Sequence, residues 1–188
     1  MHQLIDKKQG LFPMPVLLIS TYNEDGSVDT MNAAWGTLED TDVILLELTR
    51  DHKTSENILR EKCFTVAPAT IEHIREADYF GLVSGNEVKD KFAKSGLHSH
   101  DAGILHAPVI DEYPLSMVCE VVRVDETNGD FAVYGKIVSL SVDDSIRNEN
   151  GAIDAKRCRF VSYFPIDHSY RLVEEKVADA FRVGKTLK

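Results

Sequence analysis

Between Leu48 and Ile58 the chain reads LTRDHKTSENI, which puts a guanidinium (Arg50), an imidazole (His52), an ammonium (Lys53) and a hydroxyl (Thr54) within five residues. The apolar run before them reads as a strand, and Thr54 or Ser55 can cap a helix after them. A helix start offers free N–H groups and the positive end of a dipole. With those side chains it suits a phosphate monoester, which carries about −1.5 to −2 charges at pH 7 and three acceptor oxygens. The bland alternative is an exposed turn whose charges pair with Asp51 and Glu56. Spacing alone does not separate the two.

A second stretch, Asp29 to Thr37 (DTMNAAWGT), places the chain's only tryptophan in a connecting segment among Asn32, Ala33, Ala34 and Gly36. Either Trp35 plugs a loop onto the core, or the small neighbours leave room for something flat. The strand Val43–Thr49 separates this stretch from the basic group, and six residues of strand span roughly 20 Å. Together the two stretches suggest a phosphorylated planar cofactor, its flat part near Trp35.

Other fragments fit less well. In VGKT at the end of the chain, Asp179 stands where a phosphate-binding P-loop needs its first glycine. GLVSG lacks the glycine spacing of a nucleophile elbow, and there is no GxGxxG. LHSHDAGILH offers His98, His100, Asp101 and His106 as metal ligands. Ala102 breaks the metallohydrolase spacing, and Gly96 and Gly103 mark a loop, so no metal site is assigned. Cys63, Cys119 and Cys158 are odd in number and lie beside strand-like stretches, which predicts buried thiols in a reducing compartment.

These residues need a scaffold. Strand character recurs at Val16–Tyr22, Val43–Thr49, Cys63–Ala67, Ser116–Asp125 and Phe131–Val142, with a hairpin turn at Asn128-Gly129-Asp130. Helices are expected from Thr54 to Lys62, from Ile71 to Ala77, and after Ser84, where SGNE has capping-box spacing. The stripe Leu172, Val173, Val177, Ala180, Phe181 predicts a C-terminal helix packing on the core or on another subunit. At 188 residues the chain suits a single α+β domain with a mainly antiparallel β core. The net charge of −10 argues against nucleic acid or anionic membranes as main partners. No apolar run approaches the ~18 residues of a membrane span, and MHQLIDKKQG has no signal-peptide core, so a cytoplasmic location is expected.

In order along the chain, MPVLLISTYNEDGSVDTMNAAWGT, HKTSENI, VSGNEVKDKFAKSGL, APVIDEYPLSMVCEV and GDFAVYGKIVSLSV resemble the flavin reductase-like, FMN-binding split-barrel proteins. The tail SYRLVEEKVADAFRVGK resembles that of the flavoredoxin type. The resemblance implies one mainly β domain over residues 1–188, a Greek-key split barrel with peripheral helices and a helical tail at about 172–188. It also implies a homodimer, with FMN near the subunit interface. Asn32, Ala33, Ala34 and Trp35 would lie along the isoalloxazine, with Arg50, His52, Lys53 and Thr54 at the phosphate and Asn57 bracing that turn. Ser84, Lys91 and Phe92 match a segment bordering the cofactor, and Tyr170 and Arg171 are further pocket candidates.

The implied activity is that of an FMN-binding oxidoreductase passing electrons or hydride to a small molecule or partner protein. The alternative is a non-catalytic split-barrel module for FMN or another planar ligand. Family members that use NAD(P)H often carry Gly-Asp-His. Here Gly129-Asp130-Phe131 stands instead, which speaks against direct, efficient use of NAD(P)H as electron donor and favours a flavoredoxin-like electron carrier or another small-molecule reductase.

Overall fold

Why the run Val16–Ile19 is apolar without alternation is clear from its surroundings: it is buried on both faces. In the computed structural model, which describes residues 2–4, 10–127 and 129–187, Leu17 and Ile19 face one core and Val16 and Leu18 another. The strands are β1 (Met14–Pro15), β2 (Leu17–Tyr22), β3 (Val28–Ala33), β4 (Gly36–Asp40), β5 (Val43–Thr49), β6 (Cys63–Pro68), β7 (Ser99–Asp101), β8 (Pro108–Ile110), β9 (Leu115–Thr127), β10 (Asp130–Val142), β11 (Val161–Phe164) and β12 (Ser169–Leu172). The α-helices are α1 (Lys53–Glu61), α2 (Ile74–Leu82), α3 (Lys91–Ser95) and α4 (Ala155–Cys158).

Seven strands form one antiparallel sheet in the order β3-β2-β6-β9-β10-β5-β4. Its two edges, β3 and β4, are consecutive in the chain and joined only by Ala34 and Trp35. Laid flat, the edges would be about 29 Å apart, whereas the three Cα steps from Ala33 to Gly36 reach at most about 11 Å. The sheet must therefore curl until its edges nearly meet. Among the described residues β3 and β4 share no ladder, so the result is a barrel with a split, and Trp35 sits at the split.

Leu46, Phe64, Val66, Phe131 and Val133 fill the barrel. Gly135 permits this filling, because a Cβ there would fall 2.5 Å from the Phe64 ring, and the β9–β10 register shifts at the same place. Outside the barrel, α2, α3, β8 and β11 bury Ala77, Phe80, Phe92, Ile110 and Val161. Among the described residues no helix is long and apolar enough to cross a membrane.

The structure departs from the sequence-based expectations in four places. The DTMNAAWGT stretch is not a connector: all of it but Ala34 and Trp35 lies in β3 and β4, and its polar residues Asp29 and Thr30 are buried. The second helix runs three residues later than expected at its start, from Ile74 to Leu82. Ser84 begins a turn, with Glu87 and Val88 N–H groups bonded to its carbonyl, and the helix there starts only at Lys91. Its side chain accepts from Asn86 N–H at 3.2 Å, a two-residue turn in place of a capping box.

The C-terminal segment holds only a short 3-10 turn at Val183–Leu187, not a helix from 172. Leu172 closes β12, and Val177 and Phe181 lie open to solvent, so among the described residues no surface supports an amphipathic helix there. Of the expected hairpin turn, Gly129 has φ +95, and Asn128 lies outside the described residues.

Candidate functional site

The loop after β5 delivers the chain to α1, and α1 is held rigidly from behind. Ser55 Oγ donates to the Thr49 carbonyl at 2.8 Å. The buried Asn57 amide donates to Thr21 Oγ1 at 3.1 Å and Asn23 Oδ1 at 2.9 Å, and its own Oδ1 accepts from Arg60 at 2.8 Å. The N-cap is His52, not Thr54 or Ser55, and no side chain caps the helix. The N–H groups of Lys53, Thr54 and Ser55 thus have neither an intrahelical partner nor a side-chain cap, which leaves the positive helix end available to an anion.

Thr54 is kept from capping by another bond: its hydroxyl donates to Asp29 Oδ2. Asp29 on β3 is 2 % exposed and also pairs with Lys91 Nζ at 3.2 Å, itself 3 % exposed. Lys91 donates a further bond to the Val83 carbonyl at 3.3 Å. This buried pair ties β3, α1, α3 and the loop after α2 together. Gly85 in that loop lies against the pair, and a Cβ there would collide with Asp29 Oδ1 and Lys53 Cβ.

Two cavities open along this structure. The first, about 180 Å³, is lined by His52, Lys53, Thr54, Ser84, Gly85 and Lys91, with Asn32 at its far end. The second, about 390 Å³, is lined by Ala34, Trp35, Asp78, Tyr163, His168 and Tyr170. They share Asn32, Gly81 and Leu82 in their walls, so they adjoin as the two halves of a trench from the helix end to the split of the barrel, with Asn32 between them. Asn32 is fixed at the junction by a 3.0 Å bond from Nδ2 to the Ala77 carbonyl.

Nine of the fourteen residues singled out in the sequence border this trench: Asn32, Ala34, Trp35, His52, Lys53, Thr54, Ser84, Lys91 and Tyr170. The others lie elsewhere. Ala33 points into the barrel core. Asn57 sits behind α1. Phe92 stacks on Phe80, ring centroids 6.1 Å apart, in the outer core. Arg50 turns away to pair with Glu126 at 3.0 Å and to lie over the Phe131 ring. Arg171 bonds Asp167 and covers the Phe164 ring, because neighbours on a strand face opposite sides and Tyr170 takes the trench side.

The sequence reading missed Asp29, Asp78, Gly85, Tyr163 and His168. The last two belong to the β11–β12 hairpin, where Tyr163 and His168 bond at 2.8 Å. The signal was present in the aromatic residues flanking the turn at Asp167-His168-Ser169.

Tyr170 donates its hydroxyl to Asp78 Oδ1 at 2.8 Å. Burial first, then that carboxylate, push its pKa up to about 12. A raised phenol pKa adds stability that is complete below the ordinary value near 10 and is lost as pH rises from 10 through 12. Absorbance titration of tyrosinate near 295 nm should therefore lose one late-ionising group in Tyr170→Phe, while the buried Tyr113, whose pKa burial also raises, continues to ionise late. An unchanged titration in the variant would contradict this placement.

The histidines of LHSHDAGILH are occupied by carboxylates: His98 with Glu112 at 2.8 Å and His100 with Asp111 at 2.5 Å. Among the described residues no group of three or more His, Cys, Asp or Glu is arranged to hold a metal ion. All three cysteines are free and buried, and burial raises their thiol pKa, to about 12 for Cys119.

The architecture defines a class, the Greek-key split barrels with helices packed outside the sheet. The chain belongs to the flavin reductase-like domain family, whose sequence profile matches residues 9–162. It is similar to the flavoredoxin of Desulfovibrio vulgaris (Miyazaki F), with 28% identity and a TM-score of 0.91 over 98% of this chain and 100% of that one. The flavoredoxin of Methanosarcina acetivorans is 25% identical, with a TM-score of 0.89 over the whole of both chains. A split barrel domain protein of Shewanella frigidimarina, 19% identical, shares the fold with a TM-score of 0.79 over 89% of this chain and 86% of that one. No curated protein sequence matches the chain.

Proposed function

We propose that this chain is an FMN-dependent oxidoreductase of the flavoredoxin type, working as a homodimer and passing electrons to a small molecule or a partner protein. The observation that carries this is the pair of adjoining cavities running from an uncapped helix N-terminus to an aromatic-edged pocket at the barrel split. Family membership and the likeness to two flavoredoxins support it.

The residues fit the group. The α1 N–H groups, Lys53 and the Ser84 hydroxyl would hold the phosphate, and Gly85 lets the lining loop pack against Asp29 and Lys53, where a Cβ would not fit. Asn32 and Ala34 leave backbone and amide groups accessible along a flat ring, with Trp35 at its border. When bound, the flavin supplies the hydride or single-electron chemistry. The chain positions it, lines one side with apolar rings and provides polar partners along its edge.

Phe131 stands where NAD(P)H-using relatives often have histidine, and its side chain is fully buried in the barrel. It presents nothing to a nicotinamide nucleotide, which supports a protein or small-molecule electron donor over direct, efficient use of NAD(P)H.

Protein purified without added flavin should show the visible bands of a flavoprotein or acquire them when FMN is added. Trp35 is the sole tryptophan and 59% exposed, so its fluorescence should fall as FMN binds, saturating at one flavin per chain. A colourless protein whose tryptophan emission ignores FMN would sink the proposal.

A further inference from the structure

The cavity at the barrel split has walls of two kinds. Val16, Ala34, Trp35 and Leu82 give it apolar surface, whereas the β11–β12 hairpin brings Tyr163, His168 and Tyr170. Of these three, Tyr170 is committed: its hydroxyl donates to Asp78, and its pKa is pushed up to about 12.

His168 is an unexpected residue at its position. The hairpin turn closes with the Asp167 N–H on the Phe164 carbonyl at 3.4 Å, and His168 follows at φ +53. Glycine is the cheapest residue in that left-handed region, so what histidine adds there is its ring. Nδ1 bonds the Tyr163 hydroxyl at 2.8 Å, which fixes the imidazole in the cavity wall. Among the described residues Nε2 has no hydrogen-bond partner. The nearby carboxylates are engaged elsewhere, Asp167 with Ser169 and Arg171, and Asp78 with Tyr170. The ring therefore faces two phenols and no free acid.

Imidazole is the side chain whose charge ordinarily changes between roughly pH 5 and 8. As the imidazolium, His168 donates Nδ1–H to the Tyr163 oxygen and keeps Nε2–H for a ligand. No lysine or arginine lines the cavity and Asp78 does, so a carboxylate or phosphate finds no partner there. What fits is a flat, uncharged ring bearing an oxygen that accepts a hydrogen bond.

We infer that this cavity takes a quinone as electron acceptor and that His168 is the acid that protonates it. This rests on the flavin proposal above and names the acceptor class for the same site. A quinone that receives a hydride, with its two electrons, from the reduced flavin becomes a hydroquinone monoanion. An O–H bond then forms on its oxygen as the Nε2–H bond of His168 breaks. The product is the neutral hydroquinone, and the imidazole regains its proton from water at the open mouth.

The test starts from the full chain with FMN added, uptake being scored by visible absorbance. Without oxygen, the flavin is reduced photochemically and its reoxidation followed with two acceptors. Duroquinone needs a proton, whereas ferricyanide takes electrons singly and needs none. Asparagine and glycine both tolerate positive φ, so His168→Asn and His168→Gly should fold normally. Each should slow reoxidation by duroquinone about 100-fold and leave the ferricyanide rate within about twofold of the native protein. The native quinone rate should fall as pH rises through the imidazole range, and both variants should lose that dependence. For a readout without turnover, 4-nitrophenol is titrated into the oxidised protein. The ring NMR signals of one of the seven histidines should shift, and those signals should be missing from His168→Asn. Equal slowing with both acceptors, an unslowed quinone rate, or a His168 signal that ignores the phenol would overturn the inference, while normal flavin uptake leaves the FMN proposal standing. A protein that takes up no FMN would overturn both.

Discussion

Lys91→Met is expected to destabilise the protein by about 3–5 kcal/mol, enough to leave a marginally stable fold largely unfolded at physiological temperature. Methionine keeps most of the volume and removes the ammonium. Asp29, 2 % exposed, would then retain its carboxylate with only the Thr54 hydroxyl as partner. The cost comes from stranding a buried charge, and the attraction between the two ions is the smaller part of the argument. The prediction therefore has a built-in control. Asp29→Asn combined with Lys91→Met removes both charges, and its amide oxygen can still accept from Thr54. The double variant should be more stable than Lys91→Met alone, which distance-independent additivity would forbid. Urea unfolding of the three proteins checks this. A Lys91→Met loss below about 1 kcal/mol, or a double variant no better than the single, would show that the pair does not tie β3 to α1 and α3.

Neither Asp29 nor its partnership was legible in the sequence, and the reason is physical. A buried ion pair between residues 62 positions apart leaves no periodicity. Asp29 sat inside a stretch that looked like a connector because its neighbours are small and polar. Those residues form β3 all the same, since the ladder to β2 and burial against α2 and α3 supply what intrinsic propensity does not. The long strands were readable, as Val43–Thr49 shows by matching β5 at both ends, because alternation and flanking turns report directly on a half-buried sheet. Closure of the barrel was not readable from pattern at all. It follows from which strands pair, and only then does the two-residue link through Trp35 acquire its meaning. The basic cluster was legible as residue types, but the direction of each side chain was not. Arg50 and Lys53 are three apart, yet one precedes the helix and turns to Glu126 while the other opens its first turn beside the trench.

That divergence yields the second large effect, and it divides residues that the sequence grouped together. Replacing Lys53 and Ser84 together with alanine should weaken FMN binding by several kcal/mol, a loss of more than 100-fold, because hydrogen bonds to a charged group contribute about 1.5–3 kcal/mol each. Both side chains line the narrow end of the trench at the α1 N-terminus. Arg50→Ala should change affinity by less than about threefold, since its guanidinium is half exposed, paired with Glu126 and directed over Phe131. Because Lys53 also pairs with Glu56 at 3.1 Å on the exposed side of α1, its loss should cost the apoprotein well under 1 kcal/mol. The deficit should therefore appear in flavin titration and not in apoprotein unfolding. Raising salt should weaken FMN binding to the native protein more than to the Lys53→Ala variant, which has one fewer cation to screen. Equal losses from Arg50→Ala and from the Lys53 and Ser84 pair would place the phosphate outside the trench, on the Glu126 side of the β5–α1 loop.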